Sequence, residues 1–125
     1  MNRTTSNQPT EVELQILQIL WSRGPCTVRQ VHNCLAETKE TLYATTVKML
    51  VVMFDKGLVR RDDTVRPQIY TAAVSQSRTQ KSMLKDFMHR AFDGSAKSLV
   101  MQALATGKPT QEDLDEIRKL IDEMS

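Results

Sequence analysis

Five side chains within one short stretch could read the edges of DNA bases: Thr41, Tyr43, Ala44, Thr45 and Lys48. A threonine methyl packs against the thymine methyl, and a lysine ammonium donates to the guanine acceptors exposed in a major groove. Thr45 and Lys48 are the expected base-edge contacts, with Thr41, Tyr43 and Ala44 beside them. This chemistry needs its groups on one side of a rod that fits the groove. Thr41 to Lys56 is sixteen residues without Gly or Pro, long for a strand and ordinary for a helix. Tyr43, Val47, Leu50 and Phe54 recur at spacings of 4, 3 and 4 and form the expected inner face. Thr41, Ala44, Thr45, Lys48 and Val52 fall opposite. Gly57 supplies the stop, because glycine enters the left-handed cap without steric cost. An ordinary buried helix is the competing reading, and the run Val47 to Phe54 taken alone also suits a buried strand.

The elements that must hold this rod follow from the flanking sequence. Residues 1–9 read as a flexible arm in which Arg3 could reach a phosphate. Thr10 and Glu13 form a capping box that opens a first helix. Its stripe is Val12, Ile16, Ile19 and Leu20, with Leu17 and Trp21 beside it, and Trp21 is the expected core anchor. Gly24-Pro25 breaks that helix. Thr27 caps a second, short helix to about Ala36, with Val28, Val31 and Leu35 inward and Arg29, Gln30 and Asn33 outward. The helix before a reading helix crosses the DNA backbone, so Arg29 and Gln30 are candidate phosphate contacts; solvated surface is the alternative. Residues 37–42 turn without a glycine. Beyond Gly57 the period changes. Leu58 to Arg61 and Gln68 to Thr71 read as two strands around Asp62-Asp63-Thr64, with Pro67 at the entrance of the second, where a missing donor is tolerated. Arg60, Arg61 and Arg66 on such a wing suit phosphate or minor-groove contacts. The alternative is a solvated hairpin whose charges protect an edge.

Three more helices are expected, opening near Ser77, at Ser95, and at Thr110 with Asp113. They are short and one-sided, and some fifty residues rarely bury enough apolar surface alone. Self-pairing with a second chain would cover them, through Leu84, Phe87, Met88 and Phe92, then Leu99, Val100 and Leu104, then Leu114, Ile117, Leu120 and Ile121. Folding back onto the winged helix in a monomer is the alternative.

Composition narrows the function classes. The chain has 125 residues, 40% apolar and 26% charged, so a packed core is within reach. The N-terminus is not signal-like, and no apolar run reaches the ~18 residues that span a bilayer; a cytoplasmic protein without membrane partners is expected. Net charge is only +2, but phosphate binding depends on the face presented. Residues 110–125 carry two Lys/Arg against six Asp/Glu, so the last helix is acidic. Cys26 and Cys34 are too few for a disulfide framework, and with His32 they lack the ligands and tight spacing of a metal site. No metal and no cofactor are expected. His32 and His89 lie far apart with no carboxylate or nucleophile constellation, and no Gly-rich phosphate loop occurs, so an enzyme is the weakest reading. A winged helix that docks a protein through Val51 and Val52 is the alternative to a DNA reader.

The ordered set of motifs resembles the penicillinase-repressor family of winged-helix transcription regulators. It is carried by Thr10-Glu11-Val12-Glu13 with Ile19-Leu20-Trp21, by Tyr43 with Thr45-Thr46-Val47, by Lys56-Gly57-Leu58-Val59, by Arg66 and Tyr70, by Ser98-Leu99-Val100-Met101, and by Glu112-Asp113-Leu114 with Glu116-Ile117. The resemblance spans nearly the whole chain. It implies a mainly α fold: a winged helix-turn-helix DNA-binding domain over residues 7–72, followed by a three-helix dimerisation region over 73–125. It implies a homodimeric repressor on inverted-repeat operators of double-stranded DNA, and in the β-lactamase systems a co-encoded sensor protease that triggers cleavage within the dimerisation helices. The family's cleaved Asn-Phe bond falls here on Gln102 and Ala103, a departure that removes the family's recognised pair. The C-terminal cysteine cluster of copper-responsive relatives is missing, since no Cys follows Cys34. Late in the reading helix Val52-Met53 replaces the Arg-Leu pair frequent in the family.

Overall fold

The computed structural model describes residues 8–125, so Arg3 lies outside the described residues. The order of elements is α1 (Glu11–Arg23), β1 (Cys26–Thr27), α2 (Val28–Ala36), α3 (Tyr43–Asp55), β2 (Val59–Asp62), β3 (Ile69–Ala72), α4 (Gln76–Phe92), α5 (Ala96–Gly107) and α6 (Gln111–Met124). The chain divides into two units, the first ending at Met83 and the second running from Leu84 to Ser125.

In the first unit the caps do what their residue types dictate. Thr10 accepts from the Glu13 amide while the Glu13 carboxylate accepts from the Thr10 amide, closing the capping box of α1. Thr27 and Gln30 repeat the device on α2. The Gln30 Oε1 accepts from the Thr27 amide at 2.8 Å, which fixes the side chain over the first turn of α2 while its Nε2 donors take no part in the cap. At the end of α3 the Gly57 amide donates to Phe54 and the Leu58 amide to Met53, with Gly57 at φ +82°. This paired return is the Schellman arrangement, and Leu58 and Met53 are both buried beside it.

The core joins α1, α2, α3 and the sheet: Ile16, Leu17, Leu20, Cys26, Val31, Leu35, Leu50, Met53, Leu58, Val59 and Tyr70. Trp21 is only partly buried against this core, with its indole N–H donating to the Val74 carbonyl at 3.0 Å. It borders the core rather than anchoring it. The antiparallel sheet has three strands in the order β1-β3-β2. β1 pairs Cys26 with Tyr70 and Thr27 with Ile69; two residues carry no period, so sequence patterning does not reveal it.

The reading helix differs from expectation in two respects. It starts at Tyr43, with Leu42 as N-cap, so Thr41 lies in the preceding turn, its hydroxyl on the Lys39 carbonyl at 3.3 Å. Its buried face is Thr46, Leu50 and Met53, while Tyr43 and Phe54 are exposed by 39% and 37%. Apolar residues surround the second half of α3, so spacing alone selects no unique face. A polar residue reaches the core because His32 Nδ1 lies 3.0 Å from the Thr46 hydroxyl and supplies a partner.

The second unit consists of three capped helices or parts of them. Ser95 accepts from the Ser98 amide, and Thr110 with Asp113 forms a third capping box. No residue of α5 or α6 is buried among the described residues. Leu84, Phe87, Val100, Leu120 and Ile121 are exposed by 44–57%, and Met88, Phe92, Leu99, Leu104, Leu114 and Ile117 are half-buried.

Candidate nucleic-acid interface

Opposite the buried face of α3, Ala44, Thr45 and Lys48 are exposed, and Lys48 enters no ion pair among the described residues. No side chain among the described residues caps the N-terminus of α3. The Thr45 amide donates to the Leu42 carbonyl at 3.0 Å, and no side-chain acceptor among the described residues meets this end, where the aligned peptide dipoles favour negative charge. Thr41 is half-buried just ahead of that turn.

Arg29, exposed on the first turn of α2, places its guanidinium carbon 4.1 Å from the centre of the Tyr43 ring. His32 meets the same ring edge-on, with centroids 5.4 Å apart and planes at 80°. Sequence reading placed Arg29 and Tyr43 near DNA separately; their contact across two helices, and the part of His32 in it, carry no local signal.

Strand alternation separates Arg60 from Arg61, and Arg66 lies in the loop between β2 and β3. In β2, Val59 and Arg61 share one face and Arg60 the other, with Arg61 opposite Tyr70 and Arg60 opposite Thr71. Arg61 turns inward. Its guanidinium lies 4.2 Å from the centre of the Phe54 ring, and its Nε is 2.8 Å from Asp63, although the N–H is not aimed along that line. The Tyr70 hydroxyl, and then Asp63, push its ionisation above the ordinary guanidinium range. Arg60 and Arg66 are exposed, and Arg66 donates only a long bond, 3.5 Å, to the Asp63 carbonyl. The wing acids are engaged within the wing. Asp62 accepts from the Thr64 hydroxyl and from its amide, which hold its carboxyl below the usual range. Asp63 also accepts from Gln68 at 2.7 Å.

The opposite end of α3 is tied to α1. Lys56 Nζ lies 3.0 and 2.9 Å from the two carboxylate oxygens of Glu13, a side chain only 2% exposed. Sequence reading saw Glu13 as a cap and missed its ion pair, which joins residues 43 apart in sequence. Burial pushes the Cys26 thiol up, and Cys34 nearby adds to this while Arg23 opposes it. Among the described residues no group of His, Cys, Asp and Glu could hold a metal ion, and no helix is long and apolar enough to cross a membrane.

A three-helix core, a two-stranded wing on an antiparallel sheet, and a third helix that buries one face and bares the other make this unit a winged helix. Solved structures share this fold. The Bacillus licheniformis BlaI monomeric form, in complex with the blaP half-operator, gives a TM-score of 0.50 at 23% identity, covering 56% of this chain and 85% of that one. A MarR family transcriptional regulator from Silicibacter pomeroyi gives 0.50 at 19% identity, covering 95% and 70%. By sequence, the penicillinase repressor of Bacillus licheniformis is 22% identical over 116 residues, 93% of this chain and 91% of its own length. The transcriptional regulator BlaI of Mycobacterium tuberculosis is 26% identical over 92 residues, 73% and 67% of the two chains. The profile of the penicillinase repressor family matches residues 9–123. This chain belongs to that family, and it is a DNA-binding transcriptional repressor, not an enzyme.

Proposed function

We propose that the protein acts in the cytoplasm as a homodimer that occupies inverted-repeat operators in double-stranded DNA. The N-terminal half of α3 enters the major groove, where Thr45 and Lys48 meet base edges and Ala44 lines the approach. Arg60 and Arg66 hold phosphates from the wing, and Arg61 braces the wing against Phe54. The observation that carries this reading is the division of α3: Thr46, Leu50 and Met53 are buried, while Ala44, Thr45 and Lys48 of the same helix are bare.

Self-pairing uses the second unit, where Leu84, Phe87, Val100, Leu120 and Ile121 are exposed in a single chain. A twofold dimer repeats the reading helix, and half-sites then lie about one helical turn or a multiple of it apart. Release by a co-encoded sensor protease at Gln102–Ala103 would act on an exposed but helical bond within α5. That segment must unwind before a protease can cut it, and mass spectrometry of the repressor after induction would locate the cut.

The direct test is selection of bound duplexes from a random pool. Enrichment of one palindromic sequence is the expected result, and the absence of any enriched sequence would refute the reading.

A further inference from the structure

The first turn of α3 and the first turn of α2 meet in a built contact. Arg29 sits over the Tyr43 ring at 4.1 Å, His32 packs edge-on against that ring, and His32 Nδ1 lies 3.0 Å from the hydroxyl of Thr46, which is fully buried. A line of contacts thus runs from the core to an exposed cation. An arginine free on a surface loses rotamer entropy wherever it binds. One already held over an aromatic ring loses less, and its planar fork keeps two parallel donors ready. Tyr43 is the first residue of α3, and the N-terminal residues of a reading helix are the ones that contact base edges. The acceptor pair that such a fork matches in the major groove is O6 and N7 of guanine.

We infer that Arg29 determines sequence specificity by reading a guanine edge, with Tyr43 as its platform and His32 as the positioning residue that fixes the platform to the core. This rests on the DNA-binding reading above. It changes the role of Arg29 from a backbone contact to a base contact.

Selection from a random duplex pool with the wild type and with Arg29→Ala tests it. The wild type should enrich guanine at one symmetric pair of positions, and Arg29→Ala should lose that preference while keeping the rest of the site. Replacing that guanine by 7-deazaguanine, which lacks only the N7 acceptor, should weaken the wild type roughly 10-fold in a fluorescence-anisotropy titration and leave Arg29→Ala unmoved. Tyr43→Leu and His32→Leu should each weaken operator binding when Arg29 is present and by less than about 2-fold in the Arg29→Ala background, because residues acting as a unit are not additive. In the free protein, NMR should show the Arg29 side-chain protons shifted upfield by the ring and restored by Tyr43→Leu, a readout independent of DNA. An equal loss across all sequences for Arg29→Ala would make it a phosphate contact and overturn the inference. So would additive losses in the double variants. If the wild type enriches no sequence, the DNA-binding reading falls and the inference with it; if it enriches one that Arg29→Ala reads identically, only the inference falls.

Discussion

Lys48 and Lys56 lie eight residues apart in one stretch, and their surroundings give them opposite roles. Lys48 is exposed and enters no ion pair among the described residues. Lys48→Ala should weaken operator binding by about 1–3 kcal/mol without moving the unfolding midpoint, as anisotropy and a thermal melt would show. Lys56 has both oxygens of a buried carboxylate to satisfy. Removing it leaves that charge with the Thr10 amide as its remaining partner. A fully buried pair broken this way costs about 3–5 kcal/mol; Lys56 is 39% exposed and solvent screens part of the interaction. Lys56→Ala should therefore cost about 1–3 kcal/mol in a urea titration followed by Trp21 fluorescence. Cys26 carries a simpler expectation. Burial raises its thiol and closes access to it, so an alkylating reagent near pH 8 should modify the half-buried Cys34 first and Cys26 only with unfolding. Labelling of native Cys26 at the rate of Cys34 would contradict this.

Caps and punctuation are the features of the elements that local chemistry determines. Thr10, Thr27, Ser95 and Thr110 each begin a helix as their hydroxyls dictate. Gly57 ends α3 because the return of the chain needs φ near +82°. Nothing among the described residues lies within 4 Å of the position a Cβ would take there. The cost of Gly57→Ala is thus backbone strain alone, about 1–2 kcal/mol in a denaturant melt, with the fold retained. The wing shows what alternation adds. Arg60→Ala or Arg66→Ala should each reduce the slope of log affinity against log salt by about 0.9. Arg61→Ala should leave that slope alone and lower the unfolding midpoint, since its fork rests on Phe54 and Asp63. Equal salt slopes for all three variants would contradict the division. That Arg61 shares a face with Val59 is readable from the strand period; that Phe54 receives it is not, because the helical spacing of Phe54 suits the inner face of α3 equally well.

In the whole molecule, two units carry two kinds of surface. The first buries a shared core of helices and sheet. The second leaves Leu120 and Ile121 of α6 more than half exposed, and an apolar face of that kind favours association. Under the dimer reading, the double substitution Leu120→Glu with Ile121→Glu should give a single chain by sedimentation. Binding to a full inverted repeat should fall roughly 100-fold or more through loss of bivalency, while binding to an isolated half-site is retained. A wild type that sediments as a single chain at micromolar concentration would refute the dimer.

The amino-acid order by itself determined the capped starts of α1, α2, α5 and α6, the glycine stop after α3, the winged-helix sequence of elements, and the polar side of the reading helix. These depend on capping hydroxyls, glycines and periodicity, all of which act within a few residues. Tertiary structure alone decided that Thr46 rather than Tyr43 or Phe54 points inward, that β1 completes the sheet, that Lys56 reaches Glu13, and that His32, Tyr43 and Arg29 stack across two helices. Each of those joins residues distant in sequence or selects among apolar faces of similar strength, and only the packing of one element against another distinguishes them.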